Sequence, residues 1–103
     1  MIVTDIKDGM SVFQDFALDD DVLTTIEADF SAYVNVENGK REVVHTANLI
    51  KSQDLTKYEM RLGASTLGTL FNAGDIFYIQ VFEVNGVTDY NYCIHEERFR
   101  VVH

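Results

Sequence analysis

Apolar and polar residues alternate with a period of two along most of this chain, the mark of strands that bury one face. Ser11 to Leu18 (SVFQDFAL) reads as a strand that opens after an Asp8-Gly9 turn and is broken by Asp19-Asp20-Asp21. Ala28 to Val36 places Phe30, Ala32, Val34 and Val36 on one face and Ser31, Tyr33 and Asn35 on the other. Asn38-Gly39 follows at once. An Asn-Gly pair between alternating runs predicts a tight hairpin of type I′, which needs two positive φ angles. Arg41 to Ile50 is then the return strand. Thr56 to Leu62 alternates again, with Tyr58, Met60 and Leu62 inward and Lys57, Glu59 and Arg61 toward water.

Gly63 to Ala73 breaks this rhythm. Leu67, Leu70 and Phe71 fall at helical spacing, and Ser65 or Thr66 could cap, so a short helical turn is predicted near 64–72. Ala73-Gly74-Asp75 is a sharp turn. Ile76 to Val84 (IFYIQVFEV) is apolar on both faces, which predicts a central strand. A second Asn-Gly pair, Asn85-Gly86, predicts another hairpin returning through Val87 to Ile94. Arg98 to Val102 closes the series, with Glu96-Glu97 as a charged loop before it. About seven strands at this spacing predict one all-β domain over 1–103, an immunoglobulin-like antiparallel β-sandwich or a small barrel.

Charge narrows the partners. The net charge is −9, which disfavours nucleic-acid phosphates and anionic membranes and favours basic protein surfaces. The imbalance is concentrated: residues 1–37 hold nine acids against Lys7 alone, while residues 38–103 hold eight acids and seven bases. Cys93 is the only cysteine, so no intrachain disulfide can form. The first ten residues lack the apolar stretch of a signal peptide, and no apolar run reaches the ~18–20 residues of a membrane span. An intracellular protein is the expectation.

Candidate chemistry is thin. Asp19-Asp20-Asp21 offers clustered carboxylates for Ca²⁺, but an EF-hand loop needs Gly at its sixth position, and counting from Asp19 that position is Thr24. A solvated turn is the simpler account. Cys93 and His95, with His45 and His103 elsewhere, lack the paired spacing of a zinc site. Two residues apart on a strand they would share one face, which suits a buried thiol and a half-exposed imidazole. A Cys–His nucleophilic pair would also need an orienting group and an oxyanion hole, and no motif marks either. Glu96 and Glu97, adjacent on an extended backbone, point to opposite faces and cannot act together. Phe77, Tyr78 and Phe82 read as core. Gly63, Gly68 and Gly74 match no phosphate-binding loop. No catalytic residue, cofactor or metal site is expected.

The order of features resembles the small immunoglobulin-like domains of tailed-phage virion proteins, and is similar to the N-terminal domain of phage baseplate upper proteins. The matching stretches are Asp8-Gly9, Asp29-Phe30-Ser31-Ala32 with Asn38-Gly39, and Ser65-Thr66-Leu67. They continue with Ala73-Gly74, Phe77-Tyr78-Ile79-Gln80-Val81, Asn85-Gly86 and the closing Arg98-Phe99-Arg100-Val101-Val102. Two residues after Gly74, where that family often has an aromatic, stands Ile76. The resemblance implies a structural virion component assembled in the host cytoplasm, used in capsid decoration, neck, baseplate or fibre attachment. It implies no catalytic residue and no cofactor.

The functional expectation is therefore a domain that works by protein–protein assembly as a homo- or hetero-oligomer, with no nucleic-acid or membrane partner. Its exposed strand edges and the acids Asp15, Asp19, Asp20, Asp21, Glu27 and Asp29 would make the contacts. The alternative is a small acidic inhibitor that mimics DNA charge to block a nucleic-acid-binding host enzyme. A mimic should carry its carboxylates in a regular row on one face. A carbohydrate- or Ca²⁺-binding sandwich module is a third reading.

Overall fold

The computed structural model describes residues 2–18 and 25–103, and they form two sheets and one short helix. The strands are β1 (Val3–Lys7), β2 (Val12–Ala17), β3 (Phe30–Glu37), β4 (Val43–Asn48), β5 (Ile50–Lys51), β6 (Lys57–Leu62), β7 (Ile76–Asn85) and β8 (Tyr90–Val102), with helix α1 at Ala64–Leu70. Sheet order is β1-β8-β7-β3-β4 in the five-stranded sheet and β2-β6-β5 in the three-stranded one. In immunoglobulin terms β2, β6 and β5 take the places of strands B, E and D. The series β8-β7-β3-β4 takes those of G, F, C and C′. The fold is an all-β sandwich, and among the described residues its pairings are antiparallel except for one. β1 runs parallel to β8, from Val3 opposite Arg98 to Lys7 opposite Val102.

The core sits between the sheets. Tyr58, Met60 and Leu62 of β6 are buried against Val34 and Val36 of β3 and Phe77, Ile79 and Val81 of β7. Each such side chain contributes about 1.5–3 kcal/mol by leaving water. One end of the sandwich is closed by α1. There Phe71, just past the helix, stacks on Phe77 at 4.6 Å, and Phe77 stacks on Phe99 at 5.0 Å. Neither Ser65 nor Thr66 caps α1. Gly63 holds the N-cap position, and the Ala64 amide instead donates to the Ser11 hydroxyl at 3.0 Å.

The hairpins fall where Asn-Gly predicted them, but not by the expected geometry. Neither Gly39 nor Gly86 has a positive φ. Asn38 acts through its side chain: Oδ1 accepts from the Lys40 and Glu42 amides at 2.9 and 3.0 Å. The Asn38 carbonyl accepts from Arg41, and Arg41 takes the left-handed conformation at φ 65°. This is a three-residue loop closed by a bulge rather than a two-residue turn. Asn85 repeats the device, its Oδ1 accepting from Val87 and Thr88, with Asp89 left-handed at φ 55°. The β5–β6 turn does the same with Ser52 and a left-handed Leu55 at φ 57°. Asparagine and serine supply short acceptors for turn amides, and that chemistry matters more here than glycine's freedom.

Three further expectations change. The predicted return strand 41–50 is split, because Leu49 donates to Ala32 of the large sheet while Ile50 already pairs with Glu59 of the small one. The strands expected at 87–94 and 98–102 merge into one thirteen-residue strand, β8, that begins at Tyr90 after a turn that includes 87–89, so Glu96 and Glu97 lie within a strand and not in a loop. Within β8 an extra residue, Ile94, interrupts the register, since Val81 opposes His95 while Phe82 opposes Cys93. The bulge turns Cys93 and His95 to opposite faces, and Cys93 is exposed rather than buried.

Candidate interaction surface

The outer faces of the two sheets differ in kind. On the small sheet, Asp15 of β2 sits beside Arg61 and Lys57 of β6. The Arg61 guanidinium lies 2.9 Å from Oδ1 and the Lys57 ammonium 3.1 Å from Oδ2. Hydrogen bonds from Arg61, then Lys57, hold the Asp15 carboxyl below the usual carboxylate range. Arg61 also lies 3.6 Å from Glu59 and covers the exposed Phe13 ring at 5.4 Å. This face neutralises itself.

The outer face of the large sheet is aromatic. Cross-strand pairing sets Tyr33 opposite Phe82, and their rings stack at 5.3 Å. The Asn91 amide donates to the Tyr33 hydroxyl at 3.0 Å. Tyr78 lies under two cations, with the Arg41 guanidinium 4.0 Å and that of Arg98 5.8 Å from its ring centre. Arg41 also donates to Glu96 at 2.9 Å, and Gln80 donates to the same carboxylate. The Arg41 hydrogen bond, followed by that of Gln80, keeps the Glu96 carboxyl below its ordinary range. Strands β3, β4, β7 and β8 contain no lysine. Tyr and Phe with Arg, and without Lys, is the composition that interfaces favour over ordinary surface.

Phe77 is core as expected, but Tyr78 and Phe82 are half-exposed on this outer face. The two-faced apolarity of β7 indicated its central place correctly. It did not mean that both faces are covered. The distinguishing signal is the partner strand: Tyr33 falls on the solvent side of β3, and antiparallel pairing brings it onto Phe82.

At the end away from α1 the sheets part. A cleft of about 770 Å³ opens there, lined by Phe16, Phe30, Tyr58, Glu83 and Tyr92 among others. The Tyr58 hydroxyl of β6 donates to Glu83 of β7 at 2.6 Å, a polar link between the sheets. Burial, and then the Glu83 hydrogen bond, raise the Tyr58 phenol well above its usual range. Beside the cleft His95 meets Phe16 at 4.9 Å and Glu97 at 3.0 Å, and Thr4 of β1 donates to Glu97 at 3.0 Å.

Of the acids singled out from sequence, Asp15 and Glu27 both line this cleft. Asp15 is paired on the small sheet. Glu27 lies at the cleft, where its carbonyl accepts from Phe30 and Lys51. The Asp29 carbonyl accepts from the Gly86 amide at 2.9 Å and anchors the β7–β8 hairpin. Asp19, Asp20 and Asp21 lie outside the described residues. Among the described residues, no three His, Cys, Asp or Glu side chains gather as a metal site, and no helix is long and apolar enough to cross a membrane. Comparisons with family models, with curated proteins and with solved structures found no match to this chain.

Proposed function

We propose that this protein is a structural assembly domain acting through protein–protein contacts, and that its setting is the virion of a tailed phage. The observation that carries the assembly reading is the outer face of the large sheet. Tyr33, Tyr78 and Phe82 form a half-exposed aromatic strip flanked by Arg41 and Arg98. Such side chains bury large area at low entropic cost, and they supply most of the energy where proteins meet. The virion setting rests on the resemblance to phage immunoglobulin-like domains and not on the surface itself. The acidic-inhibitor reading draws less support. Asp5, Asp15, Glu37, Glu59 and Glu96 each lie beside a Lys or Arg, which leaves fewer bare carboxylates to imitate a phosphate row.

Quantitative mass spectrometry of gradient-purified phage particles tests the setting. The expected result is this chain at a fixed, stoichiometric ratio to the major virion proteins. Its absence from intact particles, together with capture of a nucleic-acid enzyme from host lysate at low salt, would replace this reading with the inhibitor one.

A further inference from the structure

The sandwich has four sheet edges, and they are guarded unequally. β1 carries Asp5 and Lys7, with Asp5 ion-paired to Arg100. β2 carries Asp15, engaged by Lys57 and Arg61. β5 is two residues long. Charges and brevity are the usual protections against pairing with a further strand. β4 has neither. Its six residues, Val43–Asn48, include no Asp, Glu, Lys or Arg, and among the described residues no strand pairs with its outer side. The chain contains no proline to block it.

The hydrogen-bonding groups on that side can be assigned. Leu49 donates to Ala32, and antiparallel bonding alternates, so Ala47 and His45 also face β3. Thr46 and Asn48 are left with N–H and C=O groups pointing outward. Val44 is the extra residue of a bulge opposite Glu37, so the regular free edge is the stretch around Ala47. Exposed apolar side chains flank that centre evenly: Val44, 39% exposed, lies three residues before Ala47, and Ile50, 57% exposed, lies three after it.

We propose that a second copy of this chain pairs antiparallel with β4 about a twofold axis at Ala47, joining two five-stranded sheets into one. Thr46 of each copy exchanges both backbone hydrogen bonds with Asn48 of the other. Just beyond this short ladder, the exposed Val44 at the bulge of one copy and the exposed Ile50 of its partner, where the chain crosses to the small sheet, come close enough to shield each other from water. Glu42 at one end approaches the partner's Lys51 at the other, the right sign for two chains that otherwise repel at −9 each. Only a self-complementary edge closes in this way, which is why the occupant is a second copy rather than a foreign strand. The pairing does not depend on the virion setting, because it is read on the isolated chain.

Sedimentation equilibrium across a concentration series, combined with amide hydrogen exchange, tests it. The expected result is a mass rising with concentration to twice the 11.7 kDa of the chain. The Thr46 and Asn48 amides should slow by at least about tenfold in the dimer, while Ala47 and Leu49 should be protected at every concentration. Thr46→Pro removes an outward backbone donor and no backbone bond to β3, losing on that side only the 2.9 Å bond from the Thr46 hydroxyl to Asn35, and it should weaken the dimer by about tenfold or more. Ile50→Lys, at an exposed site that does not threaten folding, should do the same, and it decides the matter if Thr46→Pro fails to fold. A monomer at every concentration would overturn the proposal, as would a dimer that Ile50→Lys and a folded Thr46→Pro leave unchanged.

Discussion

The two sheets face the same core but present different outer faces to solvent. The three-stranded sheet turns Asp15, Lys57, Glu59 and Arg61 outward and satisfies them against one another. The five-stranded sheet turns Tyr33, Tyr78 and Phe82 outward, and its β4 edge carries no Asp, Glu, Lys or Arg. A mutually paired charged face gains little from a partner, because binding would strip water from ions that already have counterions. A half-exposed aromatic face with polar handles loses little water that it holds tightly. On the proposed assembly role, the large sheet is the face expected to meet a partner and the small one the face expected to stay in water.

Three substitutions probe this division. The largest effect belongs to the shared core at the closed end. Phe77→Ala removes the middle ring of the Phe71–Phe77–Phe99 stack and should cost about 3–5 kcal/mol in urea unfolding. A loss below about 1 kcal/mol would mean that the end under α1 is loosely packed.

The second effect is at the open end. Tyr58→Phe takes the phenol from Glu83 and should cost about 1–3 kcal/mol by leaving a half-buried carboxylate short of a donor. It should also change the alkaline limb. The folded phenol is raised above its ordinary value of 10.0, so the unfolded chain gives up its proton first as pH rises. Stability from this group is therefore full below pH 10 and lost progressively above it. Thermal midpoints between about pH 9 and 11.5 should fall less steeply in Tyr58→Phe than in the parent. Equal slopes would place the phenol in water.

The smallest effect is on the small sheet. Asp15→Asn should leave the thermal midpoint at neutral pH and ordinary salt unchanged within error, because exposed ion pairs contribute little. Its carboxyl is held low in the folded state, so whatever it adds is present above the usual carboxylate range and lost as pH falls through the folded value. A clear destabilisation at neutral pH would mean that the network does more than keep this face wet.

Much of the sandwich was legible from side-chain period. β2 and β6 alternate throughout and β3 along most of its length, and Tyr58, Met60 and Leu62 are buried as the pattern required. What escaped did so where another term overrode the period. β1 is short and held by pairing to β8 rather than by a clear apolar face. β8 looks like two strands in sequence because the Ile94 bulge shifts its phase and Glu96-Glu97 imitates a break. The Asn-Gly pairs marked the hairpins, but asparagine works through its carboxamide, and Arg41 and Asp89 supply the left-handed residues.

The surface was less legible than the fold. The acids stood out in composition, yet Asp15 is already paired with Lys57 and Arg61, while Tyr78 and Phe82 were hidden in a run that looked like core. Charge is conspicuous in a sequence, but whether a charge is paired depends on strand register. Aromatic exposure depends on register in the same way.

Hydroxyl-radical footprinting of this chain, free and within purified particles, tests the division of labour most directly. Protection on assembly of Tyr33, Tyr78 and Phe82, with Phe13 on the small sheet labelled equally in both states, is the predicted result. Protection of Phe13 with the three large-sheet aromatics unchanged would contradict it.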